Sequence, residues 1–430
     1  MPKGGDATGQ TAPELGRRRA TVTRGTRSWH RSGVYALLWP LDPNVRFLNH
    51  GSFGACPRSV IAAQAEIVAQ MEANPVRFFA RELEPLLDSA RERLSAFVAA
   101  APEDIVFVPN ATHAVATVLR SLDFEPGDEL LLTNHGYPAV KNAAALVADR
   151  AGAEVVVAEV PFPLSDPTQV TEAIARSFTD RTKLLIVDHV TSPTGLVFPI
   201  RAICDAAGAR GIDVLVDGAH ALGMLDLDVP STGATYYTAN AHKWLCAPKG
   251  SAFLWARSDK RSGLRPLAPS HGATSTRKRS RFWLEFDWTG TFDPSAWLTV
   301  PAAIDHLGTM VPGGWPEIRA RNRALALEAR ARLCAALAIE PPAPESMIGS
   351  LVSVPLPVPL SRGLEVDPVS SVGLDPLIDV LAARHHIEVP VFPWPRSPER
   401  LLRVALQLYN SDEDIAALVD ALRSEGLVRS

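Results

Sequence analysis

The sequence predicts an α/β protein: a doubly wound, mostly parallel sheet with helices on both faces, followed by a smaller α+β domain. Three observations predict it. From Phe47 onward, short apolar runs alternate with amphipathic stretches, the pattern of a parallel sheet buried on both sides. Polar residues stand directly after several of these runs, where open α/β sheets gather their ligands. Pro312, Gly313 and Gly314 then interrupt the chain ahead of a long helical segment.

In chain order, residues 1–46 are rich in Gly, Thr, Ser and Arg and show no amphipathic period, so they cannot bury enough apolar surface to offset the entropy of ordering. A mobile basic arm is expected there. The large domain spans 47–312, with strands at Ile105 to Val108, Glu129 to Thr133, Glu154 to Val157, Leu184 to Val187, Val214 to Val216 and Ala252 to Trp255. Helices fall between them at Ala139 to Arg150, Val170 to Phe178 and Pro199 to Ala209, the last led by a proline that a first helical turn accommodates. Residues 313–430 form the small domain: a helix from Trp315 to Ala338, strands near Ser350 to Val354 and Leu402 to Leu406, and a closing helix from Asp412 to Leu422. The proline clusters Pro355 to Pro359 and Pro390 to Pro398 read as loops.

Composition narrows the function. The chain has 430 residues, 47% hydrophobic and 21% charged, with a net charge of −4, so a large core is expected and a whole-chain field for nucleic acid is not. Cys56, Cys204, Cys246 and Cys334 are scattered without metal-ligand spacing, which points to reduced thiols, a cytoplasmic setting and no bound metal. No apolar run reaches the roughly 18 to 20 residues that span a bilayer, and the arginines from Arg17 to Arg31 precede no signal-peptide core. No membrane partner is expected.

The chemistry concentrates after two strands. Asp217 ends the run Val214 to Val216 and is followed by Gly218, Ala219 and His220: a carboxylate at a strand's carboxyl end, then small residues that admit a ligand to the backbone. A buried carboxylate requires a cationic partner. Further on, Lys243 lies within Asn240-Ala241-His242-Lys243-Trp244. It reads either as a surface lysine beside a core tryptophan, or as a lysine that forms an imine with an aldehyde cofactor whose pyridine nitrogen Asp217 keeps protonated.

The wider constellation decides between them. Leu48-Asn49-His50-Gly51-Ser52-Phe53-Gly54, Asn110-Ala111-Thr112, Tyr137-Pro138, Asp188-His189-Val190-Thr191-Ser192-Pro193-Thr194-Gly195, Asp217 to His220, His242-Lys243, Thr289-Gly290-Thr291, and Arg403 ahead of Leu408-Tyr409-Asn410 follow one another along the chain. This order resembles the class V aminotransferase and cysteine desulfurase group, especially its isopenicillin N epimerase-like branch, from about Phe47 to Leu422. The resemblance implies fold type I, with a seven-stranded sheet sandwiched by helices, pyridoxal 5'-phosphate as cofactor, and an amino-acid substrate.

Residue by residue, it implies that Lys243 carries the cofactor and serves as acid and base, that Asp217 pairs with the ring nitrogen, and that His220 sits beside the phenolic oxygen. Tyr137 falls where the group usually stacks a histidine, and a phenol ring can stack there. Ala111 and Thr112, at a helix N-terminus, with Asn240 and His242, are the candidate phosphate donors; the group more often has serine at the Asn240 position. Thr291 matches a residue that reaches the phosphate from a second subunit, which implies a homodimer. Arg403 matches the clamp for the substrate α-carboxylate, a task suited to the guanidinium fork. Ser192 stands where desulfurases carry asparagine near that carboxylate, and His50 and Arg77 are expected at the entrance.

Such a cofactor permits several outcomes once the Cα proton leaves, and the protein selects among them. Sulfur transfer requires a nucleophilic cysteine on a mobile loop, and the Val389 to Pro398 loop carries Phe392 and Trp394 instead. β-Elimination from an S-substituted cysteine, a C–S lyase activity of thiol or natural-product metabolism, is placed ahead of isopenicillin N-type epimerisation on the breadth of the branch. Decarboxylation or transamination of a cysteine conjugate follows. Epimerisation would also require a proton donor opposite Lys243, for which Tyr137 and His135 are the candidates. A hydrolase lacks its Gly-x-Ser-x-Gly or His-Glu-x-x-His motif here, and an inactive binding scaffold would not need both Lys243 and Asp217.

Overall fold

In the computed structural model, which describes residues 35–357 and 375–428, the strands group into three sheets. They are β1 (Arg46–Phe47), β2 (Ile105–Val108), β3 (Glu129–Thr133), β4 (Glu154–Ala158), β5 (Thr182–Asp188), β6 (Asp213–Asp217), β7 (Tyr236–Asn240), β8 (Ala252–Ala256), β9 (Leu351–Leu356), β10 (Ile387–Glu388), β11 (Val391–Pro393) and β12 (Arg400–Ala405). The large sheet has seven strands in the order β2-β8-β7-β6-β5-β3-β4. Pairs from β7 across to β4 are parallel, and β8 is antiparallel to both of its neighbours.

Alternation along the strands explains why both faces are covered. Leu131, Leu185, Val187, Val214 and Val216 pack into one core, and Leu130, Leu132, Leu184, Ile186 and Leu215 into another on the opposite face. The helices Ala111–Ser121, Pro138–Ala151, Thr168–Arg176 and Ile200–Gly208 each follow a strand of this sheet. A third core joins the long helix Gly314–Leu337 to the antiparallel sheet β11-β12-β9 and the helix Asp412–Ser424, through Leu333, Val352, Val404 and Leu418.

The structure departs from the expectations in several places. β7 has no counterpart among the expected strands, because Thr238 interrupts its apolar character; its hydroxyl is satisfied by donating to the Phe253 carbonyl at 2.7 Å. The arm expected to run to residue 46 is packed from residue 35 on: Ala36 and Trp39 are buried, Trp39 lies edge-on against Tyr409 at 5.2 Å, and Arg46 pairs with Ile387. The rest of that arm, 1–34, lies outside the described residues. Pro355 and Pro393, expected in loops, belong to β9 and β11, both outer strands of the small sheet, where a missing N–H is tolerated. Residues 358 and 359 of the first proline cluster also lie outside the described residues.

Candidate active site

The parallel strands β5, β6 and β7 end in Asp188, Asp217 and Asn240, so the sheet's carboxyl edge presents two carboxylates and an amide side by side. Asp188 and Asp217 are direct register partners and both are buried. Burial raises the Asp217 carboxyl, opposed by the Ala219 N–H at 2.9 Å and by the charge of Lys243. Asp188 is raised well above its ordinary value by burial and then by Asp217, while Lys141, Lys243 and the Tyr137 backbone N–H act in the other direction. Two buried carboxylates with no ion pair among the described residues form a site for a cation. Asp188 lies within the family motif without an expected role of its own, yet the logic that singles out Asp217 applies to it equally.

Lys243 follows β7 and is half-buried, its Nζ 3.2 Å from His220 Nε2. Burial and then Arg403 lower its pKa to about 8, against the pull of Asp217 and Asp188. Its backbone is bracketed by the segment His50–Gly54. His50 Nε2 lies 3.0 Å from the Lys243 carbonyl and Nδ1 lies 2.8 Å from the Tyr409 hydroxyl. A carbonyl only accepts, so Nε2 donates and Nδ1 accepts. Gly54, at φ +69°, faces His242 O so closely that a Cβ would stand 2.1 Å from it. His50, expected at the entrance, is instead fully buried with both ring nitrogens engaged, and burial lowers its pKa to about 3.

Arg403, on β12, is 1% exposed. Nη1 donates to the Ser192 carbonyl at 2.8 Å and hydroxyl at 3.1 Å, Nη2 to the Ser52 hydroxyl at 3.0 Å, and the guanidinium stacks on Phe392 at 4.9 Å. Nε is buried without a partner, and no carboxylate pairs with the group among the described residues. Burial lowers its pKa to about 10, and the Tyr137 phenol is near enough to act on its charge. Tyr137 itself is 43% exposed at the start of the helix Pro138–Ala151.

At the start of the helix Ala111–Ser121, the Ala111 N–H donates to Asn240 Oδ1 at 2.9 Å and the His113 N–H to Asn110 Oδ1 at 2.8 Å. Ala111, expected to donate to a phosphate, therefore already has its partner; Thr112, exposed in the first turn, supplies the remaining N–H and a hydroxyl. His242 Nδ1 lies 3.1 Å from the Ser251 carbonyl, so its N–H is used there, and its other nitrogen donates to an anion only when protonated. Burial, Lys243 and Lys249 lower its pKa to about 4.

Other expected residues lie elsewhere. Arg77 is exposed and paired with Glu82 at 2.7 Å, with no contact to the Lys243 cluster among the described residues. Thr291 is exposed, after Gly290 at φ +127°. His135 is fully buried with its nitrogens 2.7 Å from Thr194 Oγ1 and 3.1 Å from Val160 O, so it has no free face to present to a substrate. The four cysteines are free, buried thiols, all pushed up by burial.

These groups fit pyridoxal phosphate. Asp217 lacks the cation that a protonated ring nitrogen supplies, Lys243 holds an amine ready for an aldehyde, and Thr112 with Asn240 offers donors to a phosphate. Arg403 is left for a carboxylate. The family model for Aminotransferase class-V matches residues 54–418. An isopenicillin N epimerase of Amycolatopsis lactamdurans is 35% identical over 404 residues, covering 89% of this chain and 96% of its own. A probable chloroplastic L-cysteine desulfhydrase of Arabidopsis thaliana is 31% identical, covering 90% and 84%. Among solved structures, the cystine C–S lyase C-DES with its product cysteine persulfide superposes with a TM-score of 0.71 at 21% identity, covering 88% of this chain and 97% of that one.

Proposed function

This chain belongs to the class V aminotransferase family, and from that premise we propose that it is a pyridoxal-phosphate-dependent C–S lyase acting on an S-substituted cysteine. With one water taken up, the products are a thiol, pyruvate and ammonia. When bound, the cofactor supplies a conjugated ring that takes up the electron pair left at Cα. Asp217 keeps the ring nitrogen protonated, His220 donates to the ring oxygen, and Thr112 with Asn240 holds the phosphate. Arg403 binds the substrate carboxylate through its fork. Lys243, with its pKa near 8, receives the Cα proton, and the thiolate leaves with the Cβ–S electron pair.

The observation that carries this reading is the pairing of an available base, Lys243, with the guanidinium of Arg403, which no carboxylate meets among the described residues. Elimination needs no second proton-transfer group. Epimerisation needs a donor on the far side, and with His135 engaged on both nitrogens the Tyr137 phenol is the remaining candidate. It is the second reading, favoured by the likeness to isopenicillin N epimerases. Sulfur transfer is disfavoured by the burial of all four thiols.

The enzyme is proposed to be a homodimer in which Thr291 reaches the partner's cofactor phosphate. The exposure of Thr291, and of Phe53 at 72% beside the Lys243 bracket, supports a second copy covering this face. The free cysteines support a cytoplasmic setting, in thiol or natural-product metabolism.

The test is a visible spectrum of the protein with pyridoxal phosphate, before and after Lys243→Ala, followed by addition of S-methylcysteine. A yellow band lost in the variant, with pyruvate released by the wild type, supports the lyase. Solvent deuterium entering Cα without pyruvate transfers the assignment to epimerisation, and a colourless wild type overturns the cofactor.

A further inference from the structure

His220 and Lys243 face each other, and a third residue, Trp244, reaches the histidine from its other side. Trp244, 1% exposed, directs its indole N–H at His220 Nδ1 from 3.4 Å. An indole only donates, so Nδ1 must present its lone pair and the proton of the neutral imidazole resides on Nε2. That nitrogen is the one 3.2 Å from Lys243 Nζ. An N–H pointing at the lysine is matched by the lone pair of a free amine and opposed by an ammonium.

We propose that Trp244 is a positioning residue that fixes His220 as the Nε2–H tautomer, so that the histidine is always a donor towards Lys243 and towards any oxygen that takes the place of its amine. The last part rests on the proposed function, in which that oxygen belongs to the cofactor ring; the tautomer itself does not.

The surroundings hold the arrangement in place. Burial, and then the charges of Lys243 and Arg403, keep His220 from taking a second proton. Asp217 and Asp188 favour the ammonium of Lys243, whereas burial and Arg403 disfavour it, so the direction of one hydrogen bond bears on a nearly balanced equilibrium. Trp244 has little freedom to turn away. The His50 ring lies 4.8 Å from its own, and the side chain is buried in the core.

The test is nitrogen-15 NMR of the full cofactor-free chain labelled only in its histidine rings, with the His220 signals assigned by their loss in His220→Gln. The wild type is expected to show an unprotonated Nδ1 and a protonated Nε2 throughout neutral pH. A protonated Nδ1, or a mixture of tautomers, overturns the proposal. In Trp244→Phe, both tautomers become accessible and Nε2 can accept from the ammonium. One hydrogen bond of about 1 kcal/mol then raises the Lys243 pKa by about 0.7 unit, and capture of pyridoxal phosphate at neutral pH slows roughly fivefold. An unchanged tautomer and unchanged pH dependence in the variant also overturn it. A wild type that captures no pyridoxal phosphate sinks the proposed function and leaves the tautomer to be read from the NMR spectrum.

Discussion

Replacing Arg403 by methionine should leave the cofactor-free fold as stable or more stable while weakening substrate binding by orders of magnitude. The guanidinium is buried without a counter-charge, and its pKa falls from the ordinary arginine value to about 10. Because its folded pKa, though lowered, still lies well above 7, the group is charged in both the folded and the unfolded state at neutral pH. It then destabilises the fold there by the difference, about 3 kcal/mol, with relief only as pH rises through about 10. Methionine keeps an apolar stem beside Phe392 and removes the charge. It also removes three hydrogen bonds from a charged donor, to Ser192 O, Ser192 Oγ and Ser52 Oγ, worth about 1.5–3 kcal/mol each, but Ser192 and Ser52 are half-buried, so water can replace the donor and recover much of this. The effects nearly offset or favour the variant. For a carboxylate substrate the sign reverses: losing a forked, charge-assisted pair of about 1.5–3 kcal/mol per bond raises KM about 10²- to 10⁴-fold. Thermal unfolding of the two cofactor-free proteins and steady-state pyruvate release from S-methylcysteine measure both effects. A variant that melts several degrees lower with an unchanged KM would make Arg403 a structural arginine and refute the reasoning.

Asp217→Asn should likewise stabilise the cofactor-free fold at neutral pH. A carboxyl group whose folded pKa is raised destabilises the fold above that pKa, so wild-type stability should rise as pH falls through it, and the variant should show a flatter dependence in parallel melts at acid and neutral pH. Its activity should drop at least about 10- to 100-fold, because an amide no longer holds the ring nitrogen in its protonated form. His50→Ala removes the donor to the Lys243 carbonyl and should lower kcat roughly 10- to 100-fold through misplacement of the lysine, with KM little changed; steady-state kinetics in which KM rises and kcat holds would return His50 to the entrance. Thr291→Ala and Lys243→Ala chains, each inactive or weak alone, should regain activity when unfolded and refolded together, because one site of the mixed dimer is then intact. No regain would place the role of Thr291 within its own chain.

Much of the large domain is legible in the sequence because burial on both faces writes itself as apolar runs, and the residues that end those runs mark the sheet's functional edge. Asp217 stands out in this way, and Asp188 ends its own run by the same pattern. β7 escapes because its threonine satisfies its hydroxyl on a neighbouring strand, a partner that no local pattern reveals. The small sheet blurs the proline rule: Pro355 and Pro393 lie on outer strands, and only the strand order shows which strands are outer. His50 and His135 elude a sequence reading for a related reason. A histidine in a motif looks the same whether its nitrogens are free or engaged, and their partners, Tyr409 and Lys243 O in one case and Thr194 and Val160 O in the other, are far away in sequence.

That difference separates the residues that hold the site from those that act in it. His50, His135 and the amide oxygen of Asn240 have their hydrogen bonds met within the chain, and burial keeps both histidines neutral, so they are set to fix geometry over a wide pH range. Asp217, Arg403 and Lys243 are buried or half-buried groups whose charges are not met by an ion pair among the described residues, and the pKa of each is displaced towards its neutral form. A fold does not retain three such groups in one recess for its own stability, since each disfavours the folded state while empty of ligand. Their displacement measures what a ligand with a cation, an aldehyde and a carboxylate would relieve. Binding should therefore raise the melting temperature in two separable increments, one on adding pyridoxal phosphate and a second on adding a substrate carboxylate. The second increment should vanish in Arg403→Met while the first persists; if both vanish together, the two subsites are not independent and Arg403 serves the cofactor.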